Sequence, residues 1–177
     1  MLSATKTPEA ATWMVDMQET CQILDGILAV THPALYATGR RLMQRLYQDD
    51  ARARAIVEQW PSVYHAVHII VNRETIYHRD VNGLPGWYDM LLSVGDYGEE
   101  AVFSMRSLGV CVPYDSGSVV MVCSRIVLHA VPPVPNTRVC FAWLMRDLVL
   151  AYHSVYGAEW SYIGSELFDG PEDASLR

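Results

Sequence analysis

The sequence predicts an α+β fold: helices first, then about eight short strands forming a β-sandwich or jelly-roll barrel that the helices buttress on one face. Three observations carry that expectation. Apolar residues recur at helical spacing through the first 60 residues. From Val63 onward the apolar runs become short and β-branched, and Gly, Pro, Asn and Asp clusters separate them. The chain has 177 residues, of which 51% are apolar and 19% charged. That suits one domain with a real core and excludes both disorder and a coiled coil. No stretch approaches the roughly 20 uncharged apolar residues of a spanning helix. The start, Met1 to Lys6, lacks the apolar region of a signal peptide, so an intracellular protein without a membrane partner is expected.

Taken in order, Leu24, Ile27, Leu28 and Val30 mark one helix, and His32-Pro33 starts another with proline at its first position. Leu35 through Tyr47 sets Leu35, Tyr36, Leu42, Met43, Leu46 and Tyr47 on one broad face and arginines on the other. Ala55-Ile56-Val57 continues toward Trp60-Pro61, where the proline stops the helix. Strands are expected at Val67–Val71, Leu91–Val94, Ser118–Val122, Ile126–Val131 and Arg138–Trp143. Turns fall at Asn82-Gly83, Pro85-Gly86, Gly95-Asp96, Asp115-Ser116-Gly117 and Pro132 to Asn136. After Met145 the chain reads as helical to about Tyr156. The layout is therefore a helical support over 1–60, a jelly-roll core over 61–147, and a C-terminal helix with an acidic tail over 148–177.

Thirteen Lys+Arg against 20 Asp+Glu leave a net charge of −7, which counts against a coat protein that binds nucleic acid by neutralising phosphates along its whole surface. The cations are nonetheless distinctive: Lys6 is the one lysine and the other twelve are arginines. Arg40, Arg41, Arg45, Arg52 and Arg54 fall within fifteen residues, as a solvated helix face or as planar forks for phosphate. Glu166, Asp169, Glu172 and Asp173 place part of the acidity in the tail. Cys21, Cys111, Cys123 and Cys140 form no C-x-x-C pair and read as reduced thiols.

His78-Arg79-Asp80 lies just past the first strong strand, and His129 lies in a later one. Singly, the first is a loop hydrogen bond and the second a core histidine. On an extended strand, however, His129 shares a face with Val127 and Val131, which aims the imidazole inward. Arg138 opens the last strand with Cys140, Ala142 and Leu144 on its face, and with Val139, Phe141, Trp143 and Met145 opposite. Small residues beside an arginine describe a pocket lining backed by a packed layer. A buried guanidinium needs an anion, and a bound carboxylate is its natural partner. Two histidines and one carboxylate meeting on one side of a metal leave open positions, as in the facial triad of non-haem Fe(II) oxygenases.

With those residues in hand, the chain resembles the Fe(II)/2-oxoglutarate-dependent dioxygenases. Within them it is similar to the TET/JBP-type nucleic-acid base oxygenases, and to their transposon-associated branch. The likeness is carried by Trp60-Pro61, the stretch Asn72-Arg73-Glu74-Thr75-Ile76-Tyr77-His78-Arg79-Asp80, Leu92 to Tyr97, Ser116 to Val120, Leu128 to Val131 and Arg138 to Ala142. It implies a double-stranded β-helix (jelly-roll, cupin-like) core. It implies His78, Asp80 and His129 as the catalytic Fe(II) ligands, with 2-oxoglutarate and O2 as co-substrates. It implies Arg138 on the distal carboxylate of 2-oxoglutarate, with Asn72 as a nearby hydrogen-bond donor. Cys140 stands where many relatives carry a serine on that carboxylate, and a thiol is a weak donor.

The resemblance further implies oxidation of a methyl group on a DNA base, of the 5-methylcytosine or N6-methyladenine type. The partner is then methylated DNA, as a duplex with a flipped base or as a single strand, and the nucleus is the expected location. Val81 to Tyr88 is the expected lid. Within it Asn82 is placed to hydrogen-bond a base edge, or to form a tight turn with Gly83. Tyr77, Trp87 and Tyr88 are placed to stack on a base, or, for the last two, to pack against the barrel rim. His65 and His68 point to opposite faces and are read as plain strand residues; His32 and His153 have helical settings and no assigned role. Two alternatives remain from the sequence: a 2-oxoglutarate-dependent hydroxylase of a protein side chain or small molecule, which the −7 charge favours, and a non-catalytic metal-binding jelly-roll module.

Overall fold

The computed structural model describes residues 7–49, 51–98 and 101–161, excluding the side chain of Arg52. Met1 to Lys6 and the tail acids Glu166, Asp169, Glu172 and Asp173 lie outside the described residues. Four helices come first: α1 (Pro8–Asp16), α2 (Gln18–Thr31), α3 (Pro33–Asp49) and α4 (Ala51–Val57). The strands are β1 (Ala66–Val71), β2 (Thr75–His78), β3 (Asp89–Gly95), β4 (Val102–Met105), β5 (Val110–Pro113), β6 (Val119–Val122), β7 (His129–Val131) and β8 (Arg138–Leu144). A short α5 (Asp147–Tyr152) follows. The strands form two antiparallel four-stranded sheets, ordered β1-β8-β3-β6 and β2-β7-β4-β5. Among the described residues no strand of one sheet pairs with the other, so the pairing does not close into a barrel. None of these helices is long and apolar enough to cross a membrane.

The helices begin and end where local chemistry dictates. Thr7 caps α1 by accepting the Ala10 amide on its hydroxyl. His32 separates α2 from α3: its Nδ1 accepts the Leu35 amide, and its Nε2 lies 3.1 Å from the Gly86 carbonyl. The helical setting of His32 thus comes with partners that its sequence neighbours do not announce. Leu35, Thr38, Gly39 and Leu42 form the buried face of α3. Asp25 of α2 ties the helical layer to the chain entering β1, accepting from the Ser62 hydroxyl at 2.9 Å and the Val63 amide at 3.0 Å. Burial lifts that carboxyl to about 6 despite these donors.

Strand periodicity then sorts side chains between two layers. On the larger sheet Met90, Leu92, Val119, Met121, Phe141 and Trp143 meet the helices, with Cys21, Leu24, Leu28, Leu35 and Leu42 opposite. The alternate residues Leu91, Val120 and Val122 meet Phe103, Val112 and Val131 of the smaller sheet. Each leucine fully buried in this way contributes about 1.5–3 kcal/mol.

Three local departures from expectation have identifiable causes. The strand expected over Ile126–Val131 is shortened to β7, because the Ile126 and Val127 amides both donate to the Cys123 carbonyl and make a turn. The helix expected to Tyr156 stops at Tyr152; Ser154 adopts a left-handed φ of 53° and the Val155 amide folds back on the Leu150 carbonyl. Strands β2, β4 and β5 are additions. Each is only four residues long, too short for a decisive alternation pattern.

Candidate active site

Between the sheets lies a cavity of about 210 Å³. Its walls include His78, Asp80 and His129, together with Arg138, Cys140, Ala142 and Leu144 along one face of β8. The strand parity read from the sequence is therefore the parity of the fold: Phe141 and Trp143 turn to the helices, and their neighbours turn to the cavity.

Strand pairing brings the histidines together. His78 ends β2 directly opposite His129 at the start of β7, so the two side chains leave adjacent backbones on one face. Their ring centroids are 4.3 Å apart. Asp80, two residues beyond β2, is held by its own amide, which donates to the Ser124 carbonyl at 3.0 Å. Its carboxylate oxygens lie 3.8 Å from each histidine Nε2. One ligand atom from each of the three lies within 4.8 Å of the others. Bonds of about 2.1 Å to a common ion permit donor separations up to about 4.2 Å, so both 3.8 Å spacings fit a shared ion.

The ring nitrogens are sorted by their neighbours. His78 Nδ1 lies 2.9 Å from the Ile76 carbonyl, and His129 Nδ1 lies 2.9 Å from the Val127 carbonyl. A carbonyl only accepts, so each Nδ1 carries a proton, which leaves Nε2 as the nitrogen that faces Asp80 and would hold a metal. His129 is further biased to the neutral form, since burial, and secondarily His78, depresses its basicity. The donor set fits a divalent cation by its chemistry: two imidazole nitrogens and one carboxylate, gathered within 4.8 Å of one another.

Arg138 is 3% exposed, and among the described residues no carboxylate pairs with it. Its Nη2 donates to the Arg73 carbonyl at 2.9 Å, and its guanidinium lies 6.0 Å from the centre of the Tyr114 ring. A guanidinium so buried, on a side chain that lines the cavity and makes one hydrogen bond to a carbonyl, fits an anionic occupant. Tyr114, which sequence reasoning did not single out, also lines the cavity; its hydroxyl is 3.5 Å from Cys140 Sγ. Burial raises both of these acids, so both stay protonated.

The other expected site residues divide. Asn82 lines the cavity, and its backbone carbonyl accepts from Arg146 Nη1 at 3.3 Å. Asn72 does not line it. Its Oδ1 accepts the Arg138 amide at 2.7 Å while its own amide donates to the Arg138 carbonyl at 2.8 Å. It holds the start of β8 from behind, in a left-handed conformation with φ of 50°. The three expected stacking residues have these contacts in the structure. Trp87 is 4% exposed in the helical core, donating its indole N–H to the Ala158 carbonyl. Tyr88 packs edge-on against His32 at 5.3 Å. Tyr77 follows strand alternation to the face opposite His78, where its hydroxyl is 2.7 Å from that of Ser104. The Trp87 anchor also fixes the C-terminal half of the expected lid.

Long-range pairing supplies cavity residues that local sequence gave no reason to choose: His68, Arg73, Asp89 and Arg146. Asp89 hydrogen-bonds the Ser124 hydroxyl; burial, and then Asp80, lifts its carboxyl to about 7. His65, by contrast, is buried with its Nε2 accepting the Arg146 amide at 3.1 Å.

The family model Tet_JBP, the oxygenase domain of the 2OGFeDO superfamily, matches residues 2–152. The chain belongs to this family. The dioxygenase is therefore a 2-oxoglutarate/Fe(II)-dependent enzyme that uses Fe(II), 2-oxoglutarate and O2. No curated protein matches it. The match takes in the helical layer as well as the strands, so α1 to α4 belong to the same family unit as the cavity.

Proposed function

We propose that this dioxygenase oxidises a methyl group on a DNA base, of the 5-methylcytosine or N6-methyladenine type. The observation that carries the proposal is the charge of the cavity. Arg73, Arg79, Arg138 and Arg146 surround Asp80 and Asp89 in a protein whose net charge is −7. Asp80 belongs to the metal triad in this reading, and Asp89 is held partly neutral. Four guanidinium groups are more than one dicarboxylate requires, and the surplus suits a polyanionic substrate.

In this reading His78, Asp80 and His129 hold the metal, and Arg138 receives the distal carboxylate of 2-oxoglutarate in a two-pronged ion pair. Asn72 sets the position of Arg138 through its backbone. Tyr114 and Cys140 close the wall beside the carboxylate, and Asn82 stands at the cavity edge toward a substrate base. When bound, the iron couples decarboxylation of 2-oxoglutarate to oxidation of a C–H bond. The protein aims the two Nε2 lone pairs, neutralises the dicarboxylate and excludes water with Leu91, Phe103, Ala142 and Leu144. The two sheet orders support a double-stranded β-helix as the scaffold. A base inside a duplex cannot reach such a cavity, so the target must be flipped or single-stranded.

The test is incubation with Fe(II), 2-oxoglutarate and oligonucleotides bearing 5-methylcytosine, N6-methyladenine or thymine, followed by nucleoside mass spectrometry. The expected result is a mass change in one of them. Consumption of 2-oxoglutarate with every base unaltered would instead favour the hydroxylase of a protein side chain or small molecule, the reading that suits the overall −7 charge.

A further inference from the structure

We infer that the exposed arginine face of α3 is a second nucleic-acid contact, one that grips the phosphate backbone of the strand whose base enters the cavity. This rests on the proposed DNA substrate and adds to it a place and a partner chemistry. Arg40, Arg41 and Arg45 are all exposed on α3, whose buried residues are Leu35, Thr38, Gly39 and Leu42, and Arg41 Nη2 donates to the Thr38 hydroxyl at 3.0 Å. Arg41, Gln44 and Arg45 line a groove with Ser154, Val155 and Tyr156; Arg45 lines a second with Asp49, Tyr152 and His153. Arg40 and Arg41 border a third, which holds the aromatic side chains of Tyr36, Tyr47 and Trp60.

This face connects to the cavity by way of α5. Arg146 lines the cavity, α5 leaves from the next residue, and His153 lies immediately after its end. At the far end of α5, His153 shares its groove with Arg45. The path from cavity to groove is then Arg79, Arg146, His153, Arg45, Arg41 and Arg40. Among the described residues Asp147 and Asp49 are acids beside it and Asp80 and Asp89 share its cavity end, while Asp25 in the third groove is half-buried and raised to about 6. The arrangement combines guanidinium forks with aromatic rings along one surface, the chemistry that holds a nucleic-acid strand without reading its sequence.

The test measures fluorescence anisotropy of the full chain with a methylated 20-mer over a range of salt. The comparison is wild type, the triple variant R40Q/R41Q/R45Q, and R45Q alone in case the triple variant does not fold; circular dichroism checks folding. Each lost phosphate contact reduces the salt slope by about 0.9 on duplex and about 0.7 on single strands. The triple variant is therefore expected to lose about 2 to 3 from the slope and at least tenfold in affinity at low salt, and R45Q about 0.7 to 0.9. If wild type oxidises the oligonucleotide while the folded variants keep its affinity and slope, the α3 face is overturned and the base-oxidation reading stands. If wild type neither binds nor oxidises any oligonucleotide, both fall. A polyglutamate peptide of equal charge serves as competitor. If it displaces the 20-mer as well as unlabelled DNA does, the face takes acidic protein, and the inference is overturned.

Discussion

At the level of single residues, the triad and the buried arginine make separable demands. Asp80 is partly exposed and belongs to neither hydrophobic cluster, so replacing it should leave the fold standing. Asp80→Ala is expected to abolish iron-dependent turnover with an unchanged circular dichroism spectrum; wild-type turnover would remove Asp80 from the metal. Arg138→Ala should instead raise the 2-oxoglutarate requirement, by about 2–5 kcal/mol for loss of one partner of a buried charge pair. Titration of turnover against 2-oxoglutarate measures it, and an unchanged requirement would detach Arg138 from the co-substrate. His65 offers a pH test away from the chemistry. Burial first, then Arg146 and His153, depresses its pKa to about 4 from an ordinary value near 6.5. The unfolded chain therefore binds the proton more readily between those values. The stability that His65 contributes is complete above about 6.5 and is lost as pH falls toward 4. His65→Gln keeps an acceptor for the Arg146 amide and removes the titration. Denaturant melts should show wild type losing up to about 3 kcal/mol relative to the variant across that window, and parallel curves would contradict it.

Among the elements, α3 and β8 were the most legible from sequence, for different physical reasons. The broad apolar face of α3 has a helical period and a proline start; β8 alternates Arg138, Cys140, Ala142 and Leu144 against Phe141 and Trp143, and both patterns are properties of neighbours along the chain. The cavity's second set of arginines was not legible, because Arg73 and Arg146 reach it only once β1 has paired with β8 and β2 with β7. Trp87 shows the opposite case: its place in the segment that follows the second metal ligand suggested a lid residue stacking on a base or packing against the rim, and the Ala158 carbonyl and the helical core hold it. Gly39 marks where α3 comes closest to the sheet layer. A Cβ there would lie 2.6 Å from both the Val63 carbonyl oxygen and the Met145 Cε. Alanine ordinarily strengthens a helix by about 1 kcal/mol over glycine. Here a methionine end can move but a backbone carbonyl cannot, so Gly39→Ala should destabilise by about 1–3 kcal/mol. Thermal melting reads the sign directly, and a raised melting temperature would mean that α3 has room to shift.

Across the whole molecule, the division of labour between the sheets has a thermodynamic consequence. The histidines belong to the smaller sheet, on β2 and β7, and Arg138 belongs to the larger one, on β8. No backbone ladder joins the sheets among the described residues; packing of Leu91, Val120 and Val122 on Phe103, Val112 and Val131 holds them there. A metal bound on one side and a dicarboxylate reaching from it to Arg138 would bridge that gap. Ligands that bind only the folded state stabilise it by about 2.7 kcal/mol at a hundred times their dissociation constant. Mn(II), a redox-quiet stand-in for Fe(II), and 2-oxoglutarate should therefore raise the melting temperature together by more than the sum of their separate effects. Arg138→Ala should keep the shift from Mn(II) and lose most of the increment from 2-oxoglutarate, whereas Asp80→Ala should lose both. Differential scanning fluorimetry without oxygen separates these cases. Additive shifts in wild type would mean that the co-substrate does not span from the triad to β8, and that the arginine serves a different anion.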